Sequence, residues 1–244
     1  LTAEEWQSLR DDQRGGGDVH GRASALTTRY FQDFFFADET VRYLRSERDP
    51  GKPFCLWSSY FKPHTPVVPL REYFDLYDPL SVRLPERSDN ALETGFEGHL
   101  ARAKERGWYQ QTDDELALSL CGYYGNISQM DACVGKVLDA LEELGLGENT
   151  IIVYTSDHGE MAGAHRMWTK HVMYEQSIGV PLIVRMPDGH DGGSARDHLV
   201  EHVDLYPTLA ELCGLPAPRD IHGRSFAPSV TGGPFEPRSQ IYSQ

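Results

Sequence analysis

Between Thr155 and His171 the chain reads TSDHGEMAGAHRMWTKH, a concentration of acids, imidazoles and a lysine directly behind the apolar run IIVY. Asp157 and His158 together can ligate a metal or work as an acid/base couple. An aspartate capping a following helix, beside a partly exposed histidine, is the plainer alternative. His158 and His165 lack the HExxH spacing that puts two imidazoles on one helix face, so an isolated zinc site is not expected. Lys170 follows in a segment with few other charges, where a lysine can hold an anionic group as a point charge. His64, in FKPHTPVVP, stands just past another apolar run on a loop stiffened by three prolines. That setting holds an imidazole firmly for proton transfer. Taken singly, Lys170 and His64 read more readily as surface residues.

These groups need elements to hold them. TTRYFQDFFFADETVRYLRSE places Tyr30, Phe34, Val41 and Leu44 on one helical face. FCLWSSYF, bounded by prolines, predicts a short buried strand. Prolines 63, 66 and 69 make the next segment an extended loop. Residues 1–25 and 79–111 read as loop-like excursions. Thr112 and Glu115 form a T-x-x-E capping box at the start of a helix over 113–144. Its apolar stripe is Leu116, Leu120, Tyr124, Ile127, Val134, Leu138 and Leu141, and Gly145 stops it. NTIIVYTSDHG and VPLIVRMP predict buried strands, and VDLYPTLAELCG a capped helix. Strands alternating with helices imply an α/β fold with a mainly parallel sheet sandwiched by helices. Ligands in such sheets sit beyond the carboxyl ends of the strands, where Thr155–Gly159 fall.

The 244 residues carry a formal charge of −14, with 39% hydrophobic and 25% charged residues. That acidity argues against nucleic acid and against an anionic membrane surface as partners. No apolar run approaches the roughly 20 residues of a membrane span. Localisation and oligomeric state are not legible. Cys55, Cys121, Cys133 and Cys213 have neither metal-type spacing nor a disulfide framework, and predict buried free thiols.

FCLWSSYFKPHTPVVP, YYGNISQMDACVGKVLDALEELGLGENTIIVYTSDHGE, GAHRMWTKHVMYEQSIGVPLIVRMP and VEHVDLYPTLAELCGLPAPRDIHGRSFAPSV occur in the order and phrasing of the type I sulfatases. These belong to the alkaline-phosphatase-like superfamily, and the chain resembles its iduronate-sulfatase-like and choline-sulfatase-like branches over roughly residues 26–235. The resemblance implies that Asp157 and His158 are metal ligands. It implies that Lys170 contacts sulfate oxygens and that His64 faces the leaving-group oxygen as donor or general acid. The implied ion is divalent: calcium by family precedent, with magnesium or manganese left open because calcium prefers hard oxygen ligands and imidazole suits manganese or zinc better. The implied substrate is a small-molecule or carbohydrate sulfate ester. His165 would be a supporting residue, with Ala164 standing where the motif often has Glu. Glu160, Arg166 and His171 are given no role, and Asp131 and Asp204 are read as fold-stabilising.

The nucleophile of the family is a formylglycine made from a C/S-x-P/A-x-R motif, and no cysteine or serine here has that context. Asp11–Arg14 spell DDQR, a family metal motif, but they follow a charged stretch rather than an apolar strand and read as coincidence. Residues 1–244 are therefore expected to be the central and C-terminal portion of one incomplete sulfatase α/β domain. The aspartate pair and nucleophile would precede Leu1, and a small C-terminal subdomain would be truncated. Such a fragment is expected to show no turnover alone. Alternatives are a phosphodiesterase or phosphonate monoester hydrolase of the same superfamily, and a non-catalytic sulfatase-like binding module.

Overall fold

The sequence TDDE at 112–115 opens the longest element of the chain. In the computed structural model, which describes residues 2–3, 7, 19–87, 97–187, 189–216 and 219–243, Glu115 N–H donates to Thr112 Oγ1 at 3.2 Å. Thr112 N–H in turn donates to the Glu115 carboxylate at 2.8 Å. The box satisfies two N–H groups that a helix start leaves unpaired. Helices and strands follow in the order α1 (Gln32–Arg42), α2 (Arg71–Phe74), α3 (Glu97–Glu105), α4 (Asp113–Glu143), β1 (Ile152–Thr155), α5 (Glu175–Ile178), β2 (Leu182–Arg185), α6 (Leu205–Leu212) and α7 (Ala227–Thr231). Asp11–Arg14 lie outside the described residues. Among the described residues no helix is long and apolar enough to cross a membrane.

Although one α/β domain is expected, the chain groups into two units: residues 1–145 with 159–177, and residues 146–158 with 178–244. In the first, α1 and α2 both pack on α4. Helix α1 runs on into a π-turn, Tyr43–Glu47, and buries Val41 and Leu44 as its periodicity predicts. The face of α4 is more polar than its apolar stripe suggests. Leu116, Leu120 and Leu141 are buried, but so are Ser119, Asn126 and Gln129. The main core joins Val19, Val67, Trp108, Leu116, Leu120 and Trp168, large side chains whose burial contributes about 1.5–3 kcal/mol each. A second cluster holds Met161, Ala164, Met167 and Val172.

In the second unit β1 and β2 pair antiparallel, with Ile152 opposite Arg185 and Thr155 opposite Leu182. The pairing sense differs from the mainly parallel sheet expected. The connection carries a 3-10 turn at Ala164–Arg166 and the four-residue α5, not the crossover helix a parallel pair uses. Nor are these strands buried: β1 is half-covered and Ile183 of β2 is 59% exposed. Helix α6 forms where predicted, preceded by a 3-10 turn at His202–Asp204.

Three other expectations are corrected. Phe54–Phe61 forms no strand, and Trp57 is 78% exposed. An apolar run becomes a buried strand only with a ladder partner and a covered face, and the described residues supply no ladder there. Residues 79–111 are not wholly loop, since α3 and a 3-10 turn at Trp108–Gln110 fall within them. Helix α3 buries only Ala103, so its periodicity is faint; acid in its first turn and basic residues in its last suit the helix dipole. Cys55 and Cys213 are exposed, whereas Cys121 and Cys133 are buried and free. Burial pushes the Cys133 thiol up to about 12.

Candidate active site

His64 sits on a segment whose prolines remove N–H donors, so its carbonyls and remaining amides must be tied from outside. Buried Asp33 of α1 accepts from Phe61 N–H at 2.6 Å and Lys62 N–H at 3.2 Å. The Lys62 ammonium donates to Pro66 O at 2.6 Å, and Asn126 of α4 donates to the same oxygen at 3.1 Å. Gln129 accepts from Leu70 N–H at 2.8 Å. These contacts explain the buried Asn126 and Gln129 of α4. Two glycines let the segment lie on the helix: a Cβ on Gly122 would stand 2.2 Å from Val67 O, and one on Gly125 2.6 Å from Pro69 Cγ. Lys62–Pro63 and Thr65–Pro66 are cis.

So held, the His64 ring tilts against Phe61 with centroids 4.8 Å apart. Its Nδ1 lies 2.7 Å from Thr65 O. A carbonyl only accepts, so Nδ1 carries the hydrogen and Nε2 is the ring atom that can accept a proton. Facing Nε2 at 2.7 Å is the ammonium of Lys170. The two residues that sequence reasoning proposed for the anion are thus in hydrogen-bond contact although 106 positions apart.

Lys170 ends a loop with an unusual backbone. Ala162, His165, Arg166, Thr169 and His171 all have φ between 45° and 77°. Left-handed backbone costs a residue with a side chain roughly 1–2 kcal/mol. The loop withstands this because it is tied throughout. Met161 N–H donates to Thr169 O at 2.9 Å, Gly163 N–H to Met167 O at 2.8 Å and His165 N–H to Glu86 O at 3.1 Å. Met161, Met167 and Trp168 are buried, and the Trp168 indole N–H reaches Gln111 at 3.0 Å. The His165 ring stacks on Tyr174 with centroids 4.3 Å apart, and Arg166 lies over the Tyr109 ring. Glu160, given no role from sequence, accepts from Ala162 N–H at 3.2 Å and from Thr169 N–H. The available signal was its place: an acid behind Asp-His-Gly in a stretch with no helix to cap. Asp33 gave no comparable signal, because its contacts lie 28 residues away.

Asp157 and His158 follow the last residue of β1. Thr155 Oγ1 donates to Pro181 O at 2.9 Å, and His202 Nε2 donates to Ser156 O at 2.8 Å, which fixes the strand end. The Asp157 side chain is 84% exposed, and its Oδ2 lies 3.6 Å from His158 Nε2. Two donors on one ion, each bonded at about 2.0–2.5 Å, stand about 3–4 Å apart. The pair therefore fits as two ligands of one divalent ion. It is not a complete set: the described residues hold no cluster of three or more His, Cys, Asp or Glu able to bind a metal. Asp131 is exposed on α4. Asp204, by contrast, is a structural hub. It accepts from Glu201 N–H at 2.9 Å, Arg224 N–H at 2.7 Å and Arg238 Nε at 3.0 Å. Burial raises its carboxyl, but these bonds more than offset burial and hold it below the ordinary aspartate value.

The family described as Sulfatase matches residues 3–215. An arylsulfatase of Clostridium perfringens is 34% identical over 193 residues, covering 77% of this chain and 39% of that protein. A choline-sulfatase of Rhizobium meliloti is 32% identical over 188 residues, covering 74% and 36%. Among solved structures, a phosphonate monoester hydrolase from Silicibacter pomeroyi superposes with a TM-score of 0.70 at 25% identity, covering 99% of this chain and 52% of that one. The chain spans about half or less of the length of these relatives. Its α/β fold is that of the alkaline-phosphatase-like sulfatases. With the motifs around His64, Asp157 and Lys170 inside the matched span, the chain belongs to the sulfatase family.

Proposed function

We propose that this chain carries part of the active site of a sulfuric ester hydrolase acting on a small-molecule or carbohydrate sulfate. The observation that carries the reading is the Lys170 ammonium 2.7 Å from Nε2 of His64, whose Nδ1 is engaged by Thr65 O. In sulfuryl transfer, as in phosphoryl transfer, charge is spread over three oxygens and catalysis is mainly positioning and charge stabilisation. When a sulfate oxygen replaces His64 as the acceptor for Lys170, Nε2 is released to face the ester oxygen. His64, once its Nε2 has taken a proton from solvent, gives that proton to the departing alkoxide as the S–O bond breaks and the sulfuryl group passes to the nucleophile. Asp157 and His158 are assigned as two ligands of a divalent ion, calcium by the company the chain keeps, with magnesium or manganese as alternatives. Such an ion, when bound, would supply Lewis-acid chemistry for ester hydrolysis. No residue of the 244 stands in a C/S-x-P/A-x-R context, so the nucleophile is not assigned to this chain.

The test uses the full-length protein and an aryl sulfate. Lys170→Ala and His64→Ala should each lower kcat/KM by about 10²–10⁴-fold. Wild-type rates in both variants would overturn the assignment. The 244-residue chain alone should give no turnover. A second reading, a phosphonate monoester hydrolase or phosphodiesterase, has the Silicibacter pomeroyi likeness in its favour. Rates on matched sulfate and phosphate esters separate the two.

A further inference from the structure

We infer that Glu160 is a positioning residue for Lys170, acting through the backbone of Thr169; the inference rests on Lys170 being the anion-binding group. Thr169 is the last residue before Lys170, and both its backbone groups are tied to the start of the loop. Its N–H donates to the Glu160 carboxylate, and its carbonyl accepts from Met161 N–H at 2.9 Å. The same carboxylate oxygen takes Ala162 N–H at 3.2 Å, closing the neck from the other side. Lys170 leaves this clasp flanked by two left-handed residues, Thr169 at φ 68° and His171 at φ 77°. Neither conformation is one that a side-chain-bearing residue keeps by itself.

The buried side chains do not perform this task. Met161, Met167 and Trp168 anchor the body of the loop before Thr169, and Val172 is buried after Lys170, but none of these apolar side chains bonds the Thr169 backbone. What sets the direction in which the chain leaves for Lys170 is the pair of bonds on Thr169. One of them ends on an ionised acceptor, which makes it stronger than a bond between neutral groups. Removing the carboxylate frees the neck of the loop, and the ammonium no longer arrives 2.7 Å from His64 Nε2.

Two readouts test this. In the 244-residue chain, competitive lysine acylation followed by mass spectrometry reports the exposure of Lys170 relative to exposed Lys52. Glu160→Ala should raise the relative rate at Lys170 severalfold, while Glu160→Gln, which keeps an acceptor oxygen, should restore most of the protection. In the full-length protein, Glu160→Ala should lower kcat/KM for an aryl sulfate by about 10–100-fold, as expected for a misplaced group, with partial recovery in Glu160→Gln. Unchanged Lys170 reactivity and kcat/KM in folded Glu160→Ala overturn the inference. Should that variant not fold, Glu160→Asp, one methylene shorter, takes its place under the same criteria. An inactive Lys170→Ala beside a fully active Glu160→Ala sinks the positioning role alone. A fully active Lys170→Ala sinks the active-site reading beneath it.

Discussion

His64 and Lys170 end two loops that are fixed before any ligand arrives, one by helix amides and a buried aspartate, the other by Glu160 and a methionine–tryptophan core. Asp157 and His158 are presented differently. They follow a four-residue strand, and the Asp157 carboxylate is 84% exposed with the backbone N–H of His158 at 3.0 Å. Preorganisation is useful where charge must be met at once in the transition state. A metal ligand needs less of it, because the ion gathers its donors once several converge. The His64–Lys170 pair, proposed for the anion, is thus largely built by this chain's own contacts, whereas the pair proposed as metal ligands includes an exposed carboxylate.

The unit bearing Asp157 can be weakened without touching either pair. Asp204→Ala leaves Arg238 and the Arg224 N–H without their shared acceptor. It should cost about 3–5 kcal/mol in urea denaturation, as breaking a buried ion pair does; a loss under about 1 kcal/mol would remove Asp204 as the hub. The sign with pH follows from its lowered carboxyl. The stabilisation is complete above the unfolded value near 3.9 and disappears as pH falls through the lower folded value. Wild type should therefore lose stability more steeply below about pH 4 than Asp204→Asn.

A smaller effect tests the helix beneath His64. Gly122→Ala should destabilise by about 1–3 kcal/mol, because its methyl meets Val67 O. On the same helix a Cβ at Gly135 has open space, so Gly135→Ala should stabilise by about 0.5–1 kcal/mol. Equal effects at the two positions would show that the His64 segment does not press on α4. The smallest change is expected at the exposed carboxylate. Asp157→Ala should alter the stability of the 244-residue chain by no more than about 0.5 kcal/mol. In the full-length protein it should abolish the thermal shift that calcium or manganese produces. A large stability loss in the short chain would erase the contrast between the pairs, and a retained shift would remove Asp157 from the metal.

Helix α4 was legible because its signals are local: a capping box at 112–115, apolar spacing, and a terminal glycine. The strand before Asp157 was legible for the same reason. Phe54–Phe61 was misread because whether an apolar run is covered depends on distant partners, and its own residues carry no trace of them. The resemblance assigned His64 and Lys170 to one site, but their direct contact was not legible, since no spacing rule joins positions 106 apart. The left-handed backbone of 162–171 was invisible because only one of its positive-φ positions, Gly163, is a glycine. Sequence flags such conformations mainly through glycine and asparagine.

The uncovered run at Phe54–Phe61 also governs how the isolated chain behaves in a tube. An exposed apolar, charge-free run draws copies together, while a formal charge of −14 on each copy pushes them apart. That repulsion reaches about 30 Å at roughly 0.01 M ionic strength and about 3 Å at roughly 1 M. Dilute buffer therefore keeps the chain dispersed, and a high-salt purification step removes the barrier that keeps Trp57 of one molecule from the same strip on the next.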